Sequence, residues 1–344
     1  MQTQSKQRIL LSRTDSIGDV VLTLPMAGVI KSHFPNWEII FLGRSYTQAV
    51  VELSEHVNEF INFDDMEEMD QIEQIEYIKT FNIDIFVHVF PVKEIAEIAK
   101  GAAIKIRVGT RNRLWHWFLC NELVSLSRKN SDLHESQLNI QLLSFLDINT
   151  KIELSDIDRY YGFTKVKRLG NELFVNMIAK DKVKIILHPR SKGSAKEWGL
   201  ANFSKLIEQL PKEKFQIFIS GTKEDGMQLE NFIKENPSAI DITGKLSLDE
   251  FISFINLCDV LIAASTGPLH IAAALGKKAI GLYSSRRPIH PGRWAPVGKD
   301  AHALVFDANC EQCKGKKNCN CIEKIDVQKI VHLINAKWGF LKIK

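Results

Sequence analysis

The sequence predicts an α/β fold made of doubly wound parallel sheets, one in each half of the chain. Three observations point there. Short apolar runs alternate with helical patterns along most of the length and no hairpin signature interrupts them, which is how parallel βαβ winding reads. At 344 residues the chain is long enough for two domains of ordinary size, each with its own core. The third observation is the stretch 259–284, DVLIAASTGPLHIAAALGKKAIGLYS, which reads as strand, turn, helix and next strand. Its apolar run 260–264 has the length of a strand buried on both faces, breaks at Ser265-Thr266-Gly267-Pro268, and resumes as a helix of small residues before Gly276. Pro268 suits the first helical position, Ser265 and Thr266 are natural cap residues, and Gly276 suits the position just past the helix. A helix starting at the carboxyl end of a buried strand aims unpaired N–H groups at the crevice where a phosphate or diphosphate would sit, and Gly267 permits close approach. A well-capped crossover helix without a ligand would read the same way, and His270, one turn in, also suits a packed core.

Composition bounds the rest. Hydrophobic residues at 45% and charged residues at 25% are those of a globular protein. No apolar run reaches membrane-spanning length and residues 1–8 lead straight into a strand, so a cytoplasmic protein is expected. A net charge of +4 is too small to argue for nucleic acid, yet it is compatible with an anionic substrate or with loose contact with an anionic membrane surface. Six cysteines do not make a disulfide scaffold in a chain of this size, and Cys120 and Cys258 sit in apolar company as buried thiols do.

In the first half, residues 8–13 form a strand and 14–18 a turn, placing Asp19 at the start of a helix, where a carboxylate caps the end and complements its dipole. Pro25 should kink that helix or mark an irregular start. Strands at 37–42 and 60–63 flank a helix at 46–53. The acidic run 64–76 has Met66, Met69, Ile72, Ile75 and Ile78 at spacing three and predicts one amphipathic helix with a solvated acidic face. A strand at 83–89, a helix at 93–100 and a strand at 105–108 follow. Beyond that last strand, Arg107, Arg111, Arg113 and His116 cluster in RVGTRNRLWHW, where arginine forks suit phosphates or carboxylates and where a solvated loop is equally natural. His134 opens or caps an amphipathic helix. Residues 149–163 lack a pattern and read as the interdomain connection.

The second half opens with a helix at 166–180 and a strand at 183–187, followed by HPRSKGSAKEWGLANFSKLI. Arg190, Ser191, Lys192, Ser194 and Lys196 put three cations and two hydroxyls in one loop, an anion-binding composition. After the strand 215–220, Glu224, with Asp225 as the alternative, can accept hydrogen bonds from ribose hydroxyls. Residues 283–298 are a long loop in which Arg286, Arg287, Arg293 and Trp294 either close over a ligand or fasten the loop to the core. Cys310, Cys313, Cys319 and Cys321 follow with spacing C-x2-C-x5-C-x-C. The second pair is closer than zinc sites normally have it, which leaves a structural zinc, a redox-sensitive pair and plain surface thiols all open. A helix at 327–334 ends the reading.

Three of these stretches, ILLSRTDSIGDVVLTLPMAGVIK, HPRSKGSAKEWGLANFSKLI and STGPLHIAAALGKKAIGLY, resemble in order the signatures of the ADP-heptose:lipopolysaccharide heptosyltransferase family, glycosyltransferase family 9. The resemblance implies inverting glycosyl transfer and a GT-B arrangement, with two Rossmann-like domains facing across a cleft. Residues 1–160 would bind the acceptor, 161–325 the nucleotide-sugar, and 326–344 would form a helix crossing back to the first domain. It implies Asp19 as the general base and Lys196 on the donor diphosphate. Arg190, Ser191, Lys192, Glu224, Ser265, Thr266, Gly267 and His270 are the other donor-binding candidates, and Arg13, Arg111 and Arg113 the acceptor-binding ones. The implied donor is a nucleotide-diphospho-sugar, ADP-heptose first, and the acceptor a lipid-linked lipopolysaccharide core reached at the cytoplasmic face of the inner membrane. No metal or cofactor is needed for such a displacement. One departure stands out: where many family members have an acidic residue before the Thr/Ser-Gly pair, this chain has Ser265, which cannot act as an anion, so the donor sugar, or how it is held, is in question. A nucleotide-sugar epimerase of similar form and a catalytically silent nucleotide-binding module are the competing readings.

Overall fold

A computed structural model describes residues 6–315 and 319–338. The chain separates into two compact units, Met1–Lys165 and Val166–Lys344. Each holds one six-stranded parallel sheet. The first contains β1 (Arg8–Ser12), β2 (Glu38–Gly43), β3 (Glu59–Asn62), β4 (Ile85–His88), β5 (Ile106–Thr110) and β6 (Glu122–Val124), in the order β3-β2-β1-β4-β5-β6. The second contains β7 (Val183–His188), β8 (Phe215–Ile219), β9 (Ile240–Asp241), β10 (Val260–Ala264), β11 (Lys278–Tyr283) and β12 (Ala301–Val305), in the order β12-β11-β10-β7-β8-β9. Read from the other edge, the second order is the first again. In both units the winding reverses beside the first strand, between β1 and β4 and between β7 and β10, and ligands of such sheets bind in the crevice beyond the carboxyl ends at that reversal.

The central strands are buried on both faces, which is why they read as unbroken apolar runs. Ile185, Leu187, Ile262 and Ile280 pack with Trp198, Phe203 and Leu206 in the second core. Leu10, Ile40, Phe86, Ile95 and Ile98 do the same in the first. No helix among the described residues is long and apolar enough to cross a membrane.

Several elements differ from expectation. The acidic run is two helices, Phe63–Glu67 and Gln71–Thr80, because Asp70 caps the second by accepting from the Ile72 and Glu73 amides while Glu73 accepts from the Asp70 amide. The helix expected at 166–180 is only Glu172–Met177. Helix Ile17–Val21 stops, and Pro25 opens a new one, Pro25–His33, as its first residue. The connecting stretch is not patternless: Leu154–Tyr160 is a 3-10 helix laid on Pro25–His33, and residues 162–165 bond back to 53–55. The last helix is Val327–Trp338, and residues 339–344 of the expected 326–344 segment lie outside the described residues. Its Val327, Ile330, Val331 and Ile334 are buried in the second core, where the helix packs on Leu200–Gln209.

Candidate active site

In the first unit the carboxyl end of β1 delivers Arg13 into a buried polar cluster. The guanidinium is 3% exposed and meets three carboxylates. Its Nε donates to Asp15 Oδ1 at 2.6 Å and Nη2 to Asp15 Oδ2 at 2.9 Å, Nη2 also donates to Asp19, and Nη1 donates to Glu135 Oε1 at 3.1 Å. Arg128 supports Glu135 from the other side at 3.0 Å and donates to Asn139 Oδ1 at 2.9 Å. Asn139 in turn donates to the Leu22 carbonyl, closing the cluster onto the end of the first helix. Asp19 lies in the first turn of Ile17–Val21, partly exposed, and its second oxygen accepts from Ser16 Oγ. Burial pushes the Asp15 carboxyl up to about 6: Arg13 opposes the rise and the neighbouring Asp19 charge adds to it.

Arg13, an acceptor-binding candidate, is buried and donates to the three carboxylates, which it organises. Arg111 and Arg113 do lie exposed in the loop after β5, at the same end of the sheet as Asp19. Arg107 and His116 serve the loop itself: Arg107 Nε donates to the Leu119 carbonyl at 2.8 Å, and the Thr110 amide donates to His116 Nδ1 at 2.9 Å. His134 caps its helix by accepting from the Ser136 amide. Sequence reasoning missed Asp15, Arg128, Glu135 and Asn139. Only Asp15, two residues past Arg13, gave a local signal.

In the second unit both expected loops meet at the reversal point. β7 leads into the loop with Arg190 to Lys196, β10 into Ser265-Thr266, and Ser194 Oγ donates to the Ser265 carbonyl at 3.3 Å. The loop is pre-shaped: Ser191 Oγ donates to the Ala195 carbonyl at 2.7 Å, Ser194 Oγ to the Ser191 carbonyl at 2.7 Å, and Glu197 accepts from the Ser191 amide at 2.8 Å and from Arg190 at 2.9 Å. Gly193 at φ +80 and Lys192 at φ +49 make the bend. Lys192 is exposed, 4.0 Å from the exposed Glu224. Asp225 is buried and spent on capping its own helix through Thr222, which leaves Glu224 as the open acid. Hydrogen bonds from its own backbone amide and from Thr222 hold the Glu224 carboxyl below the usual range.

Thr266 stands at the cap of helix Gly267–Ala274, but its hydroxyl makes no capping bond. That Oγ1 is buried with no hydrogen-bond partner among the described residues. Gly276 follows the helix at φ +71, as expected. His270 is 2% exposed, the packed state the sequence left open. Lys196 has a partner: its Nζ donates to the Cys319 carbonyl at 3.0 Å. Trp294 and Arg293 fasten their loop, with Trp294 Nε1 donating to the Pro288 carbonyl and Arg293 buried over the Trp294 ring. Cys310, Cys313, Cys319 and Cys321 are all buried, which removes the reading as surface thiols.

Comparison with known proteins identifies a family and a fold. The family model described as glycosyltransferase family 9 (heptosyltransferase) matches residues 95–322. A putative glycosyltransferase of Haemophilus influenzae is 26% identical over 309 residues, covering 87% of this chain and 89% of that protein. Lipooligosaccharide heptosyltransferase 2 of Campylobacter jejuni is 24% identical over 333 residues, covering 92% and 95%. Among solved structures, the family 9 glycosyl transferase of Veillonella parvula superposes with a TM-score of 0.79 at 19% identity, covering 97% of this chain and 98% of that one. E. coli heptosyltransferase WaaC, solved with ADP-2-deoxy-2-fluoro heptose, gives 0.69 at 14% identity, covering 96% and 100%. The shared fold is GT-B.

Proposed function

The chain belongs to glycosyltransferase family 9, the heptosyltransferases, and on that premise we propose that it moves a heptose or related sugar from a nucleoside-diphosphate donor to a lipopolysaccharide inner-core acceptor. The observation that carries the donor half is the second-sheet reversal. There, a helix start with an unspent, buried Thr266 hydroxyl adjoins a pre-shaped loop bearing Arg190, Ser191 and Lys192. Negative charge grows on the departing diphosphate, and fixed N–H groups and cations aimed at it stabilise the transition state without reorganising. Lys196, resting on the Cys319 carbonyl through one N–H, has two more N–H groups to donate to the diphosphate, and Glu224 takes the ribose hydroxyls. ADP-heptose is the donor this reading favours, since WaaC was solved with an ADP-heptose analogue.

The first unit serves the acceptor. Asp19 accepts the proton of the attacking hydroxyl, held in place by Arg13 and Ser16. A single displacement at the anomeric carbon inverts it. Around Arg111 and Arg113, Leu114, Trp117 and Phe118 are 84%, 55% and 76% exposed, an apolar and basic surface suited to the interface of an anionic bilayer that carries a lipid-linked acceptor.

The test is release of ADP from ADP-heptose on addition of an inner-core lipid acceptor, with Asp19→Asn alongside. Acceptor-dependent release that the variant loses, by about 100-fold or more, is expected. Undiminished turnover in Asp19→Asn would remove it from the mechanism.

A further inference from the structure

We propose that Cys310, Cys313, Cys319 and Cys321 bind one divalent metal ion as a tetrathiolate, zinc or ferrous iron. We further propose that this centre positions Lys196 in the donor loop. The second half rests on the donor reading given above.

Four thiols converge from two short segments. Cys310 and Cys313 bracket the start of helix Glu311–Lys314, and Cys319 and Cys321 flank the start of the turn Cys321–Lys324. Their exposures are 8%, 3%, 4% and 4%, and the four sulfurs form a buried cluster of their own. All four Sγ atoms lie within 4.8 Å of one another, with Cys310–Cys319 and Cys313–Cys321 at 3.4 Å. A tetrahedral ion with metal–sulfur bonds of about 2.3 Å requires sulfur–sulfur edges of about 3.8 Å, inside that spread. The Cys321 amide also donates toward Cys319 Sγ at 3.4 Å. Sulfur-only tetrahedral sites select zinc or iron over harder cations. On binding, the four thiol protons leave to solvent and no redox change is involved.

The segment that carries the last two cysteines is also the platform for the donor loop. Lys196 Nζ donates to the Cys319 carbonyl at 3.0 Å, Trp198 Nε1 to the Ile325 carbonyl at 3.0 Å, and Asn202 Nδ2 to the Glu323 carbonyl at 2.8 Å. Ile322 and Ile325 pack with Trp198 in the second core. An ion that fixes Cys319 therefore fixes the acceptor atom on which the Lys196 ammonium rests. Without it, 319–325 loses its tie to 310–313.

The full-length protein, purified from medium containing zinc and iron, should carry close to one ion of zinc or iron per chain by elemental analysis. Cobalt(II) loading should give the intense visible bands of a tetrahedral thiolate site. Cys313→Ser and Cys321→Ser should lose the ion, and Lys196→Gln should keep it. Metal-free native protein, or a native mass lower by four hydrogens because the four thiols form two disulfides, would overturn the site. So would full metal content in both serine variants. For the positioning half, calorimetry should show ADP binding at least about tenfold weaker in Cys313→Ser, the scale of one charge-assisted hydrogen bond, with no further loss when Lys196→Gln is added. Circular dichroism checks that the variant is folded. Equal ADP affinity with and without the ion would overturn the positioning role. Metal-loaded protein that binds no ADP would instead overturn the donor reading and leave the metal site standing.

Discussion

Neutralising Asp15 should stabilise the protein, and only above mildly acid pH. Three carboxylates, Asp15, Asp19 and Glu135, share Arg13 and Arg128, so the cluster holds one more negative charge than positive. The excess falls on Asp15, whose carboxyl burial raises from 3.8 to about 6. Each tenfold in proton affinity is worth about 1.4 kcal/mol, so the ionised form carries a penalty of about 3 kcal/mol in the folded state. Because the folded value lies above the unfolded one, the native state binds more protons between pH 4 and 6. This group's contribution therefore improves as pH falls through that window, and its full cost is present above it. Asparagine keeps the shape and removes the charge but gives up part of the paired contact to Arg13. The expected gain for Asp15→Asn is about 1–3 kcal/mol at pH 8, shrinking toward zero by pH 4. Urea unfolding of both proteins at the two pH values measures it. An equal difference at both pH values, or a loss of stability at pH 8, would refute the assignment of the excess charge to Asp15.

The remaining predictions are simpler. Gly28→Ala should destabilise by about 1–3 kcal/mol in thermal or urea unfolding although alanine is the better helix former, because a Cβ there would sit 2.2 Å from the Tyr160 carbonyl oxygen. Thr266→Val should raise stability by about 1 kcal/mol by deleting a buried unpartnered hydroxyl, yet weaken ADP binding in calorimetry; unchanged ADP affinity would take Thr266 out of the donor site. Leu114→Ser with Phe118→Ser should reduce co-sedimentation with anionic vesicles several-fold and leave ADP binding unchanged, and undiminished sedimentation would remove this surface from membrane contact.

What the sequence made legible follows burial and locality. β10 and β11 were readable because both faces are buried, so the apolar run itself marks them. β6, β9 and β12 were not, since short, partly exposed edge strands carry no such run. The helix start at Gly267 was set by Pro268 and Gly276, both local signals. The Arg13 cluster was not readable, because Glu135 lies 122 residues along the chain from its partner. Lys196 was recognised as a cation of the donor loop, but its resting partner, the Cys319 carbonyl, lies 123 residues away and has no sequence signature. The cysteine spacing left three readings open, and burial of all four removed one of them.

The latch of residues 162–165 onto 53–55 has a consequence for synthesis on the ribosome. Glu55 donates to the Gly162 carbonyl, Lys165 to the Leu53 carbonyl, and Ser54 pairs with Phe163. Among the described residues these bonds close the first unit, and no strand of its sheet comes from beyond them. At about 5–20 residues per second, the first 165 residues take roughly 10–30 s to make, long compared with the folding of most domains. The first unit can therefore close while the second is still being translated, which separates in time the folding of two sheets that share one strand order.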